Sequence, residues 1–290
     1  MTTTGRVRRT AGSPRWLTLA TTDPEAAAAY YASLFGWRFE VTSGPTGVTA
    51  TCPVEHVRIG PVDVDESEGW TTHFEVTDLA AAVQIIRDAG GYVGPVRSGH
   101  SAEFVHALDP NGAALALRDP GRGVLGSSPG RHRALAWSDL HTRSYEPALQ
   151  FYSRLFHYTF LAVDSPRTPY SMFHALDGGE LIGGIQLNTA LPESVPAYWL
   201  PWLNAADADR AVGRAVHLGS TVLTPVTDGI FGRMGIVKSP WGEVFGVVDE
   251  RVHRPAVPSS PGAVALGRAG TSAPTPGVSP ATASDPTFPW

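Results

Sequence analysis

The sequence has a single cysteine, Cys52, and this scarcity excludes several kinds of site. One cysteine cannot form an intrachain disulfide, and it cannot supply the set of thiolates that holds a structural zinc ion or an iron–sulfur cluster. We therefore expect a protein of a reducing compartment, the cytoplasm.

Long apolar runs and excess positive charge are also missing. No stretch approaches the roughly 18 apolar residues that span a bilayer, and the N-terminus lacks the apolar core of a signal peptide. The net charge is −5, and Lys238 is the only lysine among 22 basic residues, which do not gather into a stripe. We expect neither a membrane nor a nucleic acid as a partner.

Motifs for nucleotide binding and for common hydrolytic chemistry are absent as well. The sequence has no GxGxxG, no GxxxxGK[ST], no HExxH and no nucleophile elbow. It therefore gives no reason to expect a cofactor.

What the sequence does contain is an internal repeat. Residues 16–23 are predicted to form a strand and residues 24–34 a helix, and residues 137–144 and 145–155 repeat this order. A second helix follows in each half, with an aspartate as N-cap and a glycine at its end. Each half then closes on a hairpin with the turn sequence Asp/Ser-Pro-x-Gly.

The repeat and the composition divide the chain into five parts. We predict one βαβββ module at 14–120 and a second at 132–250, joined by a Gly/Ser/Pro-rich linker at 121–131. Residues 1–13 and the Pro/Ser/Thr/Gly/Ala-rich tail at 251–290 have too few large apolar residues to offset the entropy of ordering, so we predict that both are disordered.

The order of these motifs resembles the vicinal-oxygen-chelate superfamily, which includes glyoxalases, dioxygenases and bleomycin-resistance proteins. The resemblance rests on a helix segment similar to FYxxLFG (YYASLFG at 30–36, FYSRLFH at 151–157), the Asp-capped second helix of each half, and the closing hairpin, DPNG at 109–112 and SPWG at 239–242. It implies an α+β fold whose curled mixed sheets carry helices outside and pair around a cleft. The tandem, ligand-poor pattern is most similar to members from actinobacterial secondary metabolism, including anthracycline pathways.

Metal-dependent members of the superfamily bind one divalent ion through His, Glu or Gln side chains at set strand positions. These positions are occupied here by Trp16, Thr71 and Ala116 in module 1, and by Trp137, Leu200 and Gly246 in module 2. Only Gln186, on a third strand, could be a ligand. Because a divalent ion normally needs about three protein ligands or a carboxylate-rich shell, we predict no metal at the family site.

The same resemblance predicts which strand residues face the cleft, because alternate residues of a strand share a face. The opposite face should form the core beneath the helices. The predicted ligand-binding residues on this face are Trp16, Thr18, His73, Glu75, Trp137, Asp139, His141, Trp202 and Asn204. Trp70 is predicted to join them by closing the mouth of the cleft. The predicted core residues are Leu17, Leu19, Phe74, Val76, Leu115, Leu117, Leu203, Phe245 and Val247.

Two interpretations of this cleft stay open from the sequence. The preferred one is a metal-independent protein that binds and sequesters a planar aromatic antibiotic or polyketide product between tryptophan walls, for self-resistance or biosynthesis. The alternative is a metal-independent cyclase, isomerase or hydroxylase-like enzyme. In that case His73 with Glu75, or Asp139 with His141, would be acid and base.

Weaker alternatives also remain. The tryptophans could simply fill the core, and the cleft could serve only as a dimer or partner surface. A non-family metal site of His73, Glu75 and His106 is disfavoured because His106 is predicted to lie on the other face. The expected partners are the aromatic ligand and a pathway enzyme, with the chain a monomer or a homodimer.

Overall fold

The structure is a computed structural model that describes residues 12–63, 66–98, 103–119, 134–163, 168–174, 181–229 and 231–251. Nearly all of the predicted N-terminal and C-terminal disordered segments, and the whole predicted linker, lie outside these residues. We call residues 14–119 module 1 and residues 135–249 module 2. None of the helices in the described ranges is long and apolar enough to cross a membrane.

Module 1 forms one mixed sheet of nine described strands. Its elements are β1 (Pro14–Ala20), α1 (Pro24–Phe35), β2 (Glu40–Gly44), β3 (Gly47–Cys52), β4 (Val57–Gly60), β5 (Gly69–Glu75), α2 (Leu79–Asp88), β6 (Tyr92–Val93), β7 (Arg97–Ser98), β8 (Glu103–Leu108) and β9 (Ala114–Asp119). The strand order is β2-β3-β4-β1-β5-β9-β8-β6, and β7 pairs with β8.

Module 2 repeats this plan in an eight-stranded sheet. Its elements are β10 (Leu135–Thr142), α3 (Tyr145–Phe156), β11 (Thr159–Val163), β12 (Tyr170–His174), β13 (Leu181–Leu187), β14 (Tyr198–Asn204), α4 (Ala208–His217), β15 (Thr221–Gly229), β16 (Gly232–Lys238) and β17 (Val244–Asp249). The strand order is β11-β12-β13-β10-β14-β17-β16-β15.

The predicted tandem repeat and the α+β class are confirmed, and each module contains the βαβββ order twice. In module 1 the first unit is β1, α1 and β2 to β4, and the second is β5, α2, β6, β8 and β9. The two units meet at the antiparallel pair β1/β5, whose equivalent in module 2 is β10/β14. Trp16 lies opposite His73 in the first pair, and Trp137 lies opposite Trp202 in the second.

Three of the four described helices begin at an aspartate. Asp23, Asp78 and Asp207 each accept a hydrogen bond from the backbone N–H three residues later, which satisfies a donor that the helix leaves free. Gly90 and Gly219, predicted as helix stops, have φ values of 85° and 95°. This left-handed region suits glycine and reverses the chain after α2 and α4.

The helix-bearing faces of the two sheets pack against each other. Phe74 of β5 stacks on Phe156 of α3 with ring centroids 5.1 Å apart. Tyr31 of α1 donates a hydrogen bond to Glu243 of module 2 over 2.9 Å. The expected cleft between paired concave faces is therefore not formed, because each helix-free concave face lies on the side of its sheet away from the other module.

The predicted core parity is confirmed. All nine residues assigned to the opposite face are buried, and they belong to two apolar clusters that each include side chains from both modules. The intervening residues of the same strands therefore lie on the concave faces.

Candidate functional site

The concave face of module 2 holds a buried carboxylate surrounded by aromatic donors. Asp139 is only 6% exposed. Its Oδ1 accepts hydrogen bonds from Trp137 Nε1 over 2.8 Å and from the Tyr170 hydroxyl over 2.9 Å. Its Oδ2 accepts one from Trp202 Nε1 over 2.8 Å. We call these four residues the Asp139 cage.

Two glycines, one on β13 and one on β17, make room for the side chains of the cage. A Cβ atom at Gly246 would overlap the indole of Trp202, and one at Gly184 would overlap the Tyr170 ring and approach Asp139 Oδ1 to 2.5 Å. Such contacts lie inside van der Waals distance. The aromatic rings of the cage therefore rest directly on bare backbone.

The buried position of Asp139 disfavours the ionised form of its carboxyl group. Burial raises the pKa of Asp139, and the three donors oppose this by lowering it. Hydrogen bonds that favour the ionised form thus offset part of the desolvation cost. Trp137 and Trp202 both donate their indole N–H groups to Asp139, so these groups are not free to bind a ligand.

His141 lies two residues beyond Asp139 on the same face. It is 8% exposed and stacks on Tyr198 with ring centroids 5.0 Å apart and an interplanar angle of 5°. Its Nδ1 atom is 3.5 Å from the side-chain nitrogen of Asn188, whereas its Nε2 atom has no hydrogen-bond partner in the described part of the chain. Burial lowers the pKa of His141 to about 4, so the ring is neutral at pH 7.

The equivalent positions of module 1 carry a different pair. Thr18 occupies the place of Asp139 and His73 the place of Trp202, and Thr18 Oγ1 lies 3.1 Å from His73 Nε2. Burial, with smaller contributions from His106 and two arginines, holds the pKa of His73 well below its usual value. The module 1 site is therefore built around a neutral imidazole.

A cavity of about 390 Å³ opens on the concave face of module 1. Its lining includes Glu66, Thr71, Tyr92, His106 and Ala114. This volume lies within the usual range of small-molecule pockets.

His106 is placed differently from the prediction. It lies opposite Ala116 on the hairpin, on the same face as His73, and the two imidazole centroids are 5.7 Å apart. Its Nε2 atom is 3.9 Å from Glu66, a carboxyl whose pKa is raised mainly by burial. The assignment of His106 to the other face was wrong.

Trp70 is also placed differently. It lies on the helix-bearing face, where its Nε1 donates a hydrogen bond to the Tyr31 hydroxyl over 3.1 Å. Trp199 makes the equivalent bond to Tyr152 over 3.1 Å. The expected closure of the cleft mouth by Trp70 is not observed, because this indole is part of the core beneath α1.

The remaining predicted residues are dispersed around the rim of module 1 and the end of β14. Trp16 is half-buried, stacks on His56 at 5.3 Å and lies 5.1 Å from the Arg118 guanidinium. Glu75 pairs with Arg15 at 3.6 Å. Asn204 ends β14 and is half-buried.

The sequence reasoning missed three residues that the structure brings to these faces. Glu66 comes from the connection before β5, Tyr92 from the short strand β6 and Tyr170 from β12. None belongs to a motif, and no local pattern marks them. Their roles depend on contacts between segments far apart in the sequence.

The comparisons with known proteins agree with this architecture. The sequence profile described as "Glyoxalase-like domain" matches residues 16–118. Residues 16–118 form a glyoxalase-like domain. Module 2 repeats the strand order and the hairpin of this glyoxalase-like domain, so both modules have the vicinal-oxygen-chelate fold.

Curated relatives match nearly the whole of the tandem. "Anthracycline biosynthesis protein DauV" of Streptomyces sp. strain C5 is 27% identical over 269 residues, which cover 84% of this chain and 96% of DauV. CFP32 of Mycobacterium tuberculosis is 28% identical over 249 residues, which cover 82% of this chain and 94% of CFP32. The chain thus has homologues in anthracycline biosynthesis.

Solved structures support the fold alone. The 2,2′,3-trihydroxybiphenyl 1,2-dioxygenase of Sphingomonas wittichii matches with a TM-score of 0.58 and 14% identity, covering 82% of this chain and 90% of that one. The Mn(II)-bound glyoxalase of Novosphingobium aromaticivorans matches with a TM-score of 0.56 and 14% identity, covering 86% and 89%.

The residues at the family metal positions do not fit a metal ion. The indoles of Trp16 and Trp137 offer only N–H donors, and the other positions offer at most the Thr71 hydroxyl and the amide oxygen of Gln186, which lie in different modules. Among the side chains that the structure describes, no three of His, Cys, Asp or Glu are grouped to hold a metal. Neither concave face supplies the donor set that a divalent ion needs.

The buried His141 should make stability depend on pH. Because its pKa falls from 6.5 to about 4 on folding, the unfolded chain takes up the proton first, and acidification favours unfolding. From pH 7 to pH 5 this contribution should lower the free energy of unfolding by about 2 kcal/mol.

Urea unfolding of the wild-type protein and His141→Phe at both pH values measures this contribution. The comparison isolates His141 because both proteins retain the other buried groups, including Asp139, whose raised pKa acts in the opposite direction. Equal pH dependence in the two proteins would show that His141 titrates normally.

Proposed function

We propose that the protein binds a small, planar, hydroxylated aromatic molecule in the module 1 cavity without the help of a metal. The observation that supports this most is the cavity itself, about 390 Å³ on the face where the superfamily's ligand positions lie, with Thr71 and Ala114 in its lining. Thr71, at one of the superfamily's metal-ligand positions, and Ala114 are both small and leave space for a flat guest.

The chemistry of the walls supports the same ligand class. The lining combines polar side chains with apolar ones. The polar ones are Glu66, Ser67, Thr71, Tyr92 and His106, and the apolar ones are Ala107, Leu108, Ala114 and Leu115. Such a surface suits an aromatic ring system with one hydroxyl or carbonyl edge. The similarity to anthracycline biosynthesis proteins supports a polyketide product as the guest, held for self-resistance or for a biosynthetic step.

A cavity-filling substitution tests this proposal. Ala114→Phe places a ring where the guest would lie, and we expect it to weaken binding of 1,8-dihydroxyanthraquinone by at least about tenfold. Calorimetric titration of the purified chain would measure the affinity. Ala29→Phe, at an exposed site on α1, is the matched control and should bind like the wild-type protein.

Two outcomes would count against the proposal. One is that the wild-type protein does not bind the probe saturably, and the other is that Ala114→Phe binds it as tightly as Ala29→Phe.

The closeness of His73, His106 and Glu66 also favours a second candidate function, acid–base catalysis on the bound molecule. The neutral imidazole of His73 and the carboxyl of Glu66, whose pKa is raised, could accept and return a proton at a carbon of the bound molecule next to its carbonyl. Uptake of deuterium from D₂O at the carbon next to the carbonyl of 1-tetralone, measured by mass spectrometry, would distinguish an enzyme from a binding protein.

A further inference from the structure

A row of four side chains crosses the concave face of module 2. Tyr170, Gln186, His141 and Tyr198 are register partners on the adjacent strands β12, β13, β10 and β14. Partners in register share a face, so the four side chains stand side by side. We call them the His141 row, and it lies next to the Asp139 cage.

The centre of this row carries an unpaired polar atom. His141 is more than nine-tenths buried, and its Nε2 atom has no hydrogen-bond partner in the ranges that the structure describes. A buried polar group without a partner costs about 1–3 kcal/mol, so such atoms are rare unless something else satisfies them. The other ring nitrogen already faces Asn188.

The surroundings define the chemistry of a partner for Nε2. No member of the row is formally charged at neutral pH, and the nearby Asp139 oxygens are already engaged by the cage donors. Tyr170 and Tyr198 are half-buried and pack against the apolar cluster of this face. An uncharged group on an apolar ring fits this environment, and a cation or an anion does not.

We propose that the His141 row is a second small-molecule site, in which His141 Nε2 hydrogen-bonds the hydroxyl or carbonyl of an uncharged aromatic compound. The stacked Tyr198 fixes the plane of the imidazole, so the direction of this bond is set before the ligand arrives. The row belongs to the other sheet and shares no residue with the module 1 cavity. A negative result at one site therefore does not contradict the proposal for the other.

Nitrogen NMR of the full chain with ¹⁵N-labelled histidine tests the site. The Nε2 resonance of His141 is identified by its loss in His141→Phe. Titration with 1-naphthol should move this resonance saturably, whereas 1-methylnaphthalene, of similar shape but without a hydroxyl, should move it at least about tenfold less at equal concentration. Ala114→Phe, which blocks only the module 1 cavity, should leave the shift unchanged.

Other outcomes would overturn the proposal. An Nε2 resonance that does not respond to 1-naphthol, or responds equally to both compounds, would mean that a buried water alone satisfies the atom. Loss of the shift in Ala114→Phe would mean that the ligand acts from module 1. If His141→Phe does not fold, His141→Gln supplies the same assignment, because it also removes the imidazole resonance.

Discussion

Replacing Asp139 with asparagine should lower the free energy of unfolding by about 3 kcal/mol, which is large for a change of one atom. The amide oxygen can still accept the bonds from Trp137 and Tyr170, but the amide nitrogen then faces the Trp202 N–H, and two donors oppose each other. The cost follows because no solvent reaches this place to satisfy either group. Urea unfolding followed by tryptophan fluorescence measures it.

The chain offers a matched control for this substitution. Asp207 caps α4 at an exposed position, and asparagine is as good an N-cap as aspartate, so Asp207→Asn should change stability by only a few tenths of a kcal/mol. Combining Asp139→Asn with Trp202→Phe removes the opposed donors. The double variant should therefore be more stable than the sum of the single effects predicts, by about 1 kcal/mol. Strict additivity would show that the cage is not a network.

Much of the fold could be predicted because the repeat is visible in local sequence patterns. The helix caps Asp23, Asp78 and Asp207 and the alternation along β1, β5, β10 and β14 need no knowledge of distant contacts. Alternation also gave the correct core face, since Leu17, Phe74 and Leu203 all lie under helices.

The incorrect predictions concern the face on which a residue lies and the way in which the two modules pack. His106 was misplaced because its face depends on how the turn after Leu108 aligns the hairpin, and the structure pairs Leu108 with Ala114. Trp70 was misplaced although it shares the parity of Phe74 on β5, so alternation alone assigns it to the core face, where it bonds to Tyr31. Packing of the helix-bearing faces could not be read from either module alone.

The same backbone supports two different chemistries because equivalent positions carry different side chains. The pair Thr18 and His73 in module 1 becomes Asp139 and Trp202 in module 2. In module 1 the neutral His73 lies next to His106, which lines the cavity. In module 2 the larger indoles close over a carboxylate, and the Nε2 atom of the adjacent His141 has no hydrogen-bond partner in the described residues.

The second large effect should come from Gly246→Ala, which we expect to destabilise the protein by about 3 kcal/mol. An added Cβ would overlap the Trp202 indole, and this ring cannot retreat without breaking its hydrogen bond to Asp139. Overpacking of this kind costs about 1–3 kcal/mol, and the lost bond to a charged group adds to it.

Gly213→Ala is the control for this glycine because it lies within α4, where an added Cβ meets nothing within 4 Å. Alanine is the better helix former, so this variant should instead gain about 0.5–1 kcal/mol. Urea unfolding of the two variants should therefore shift in opposite directions. If Gly246→Ala were as stable as the wild-type protein, the Trp202 ring would have to be free to move, and the Asp139 cage would be a loose cluster rather than a fixed one.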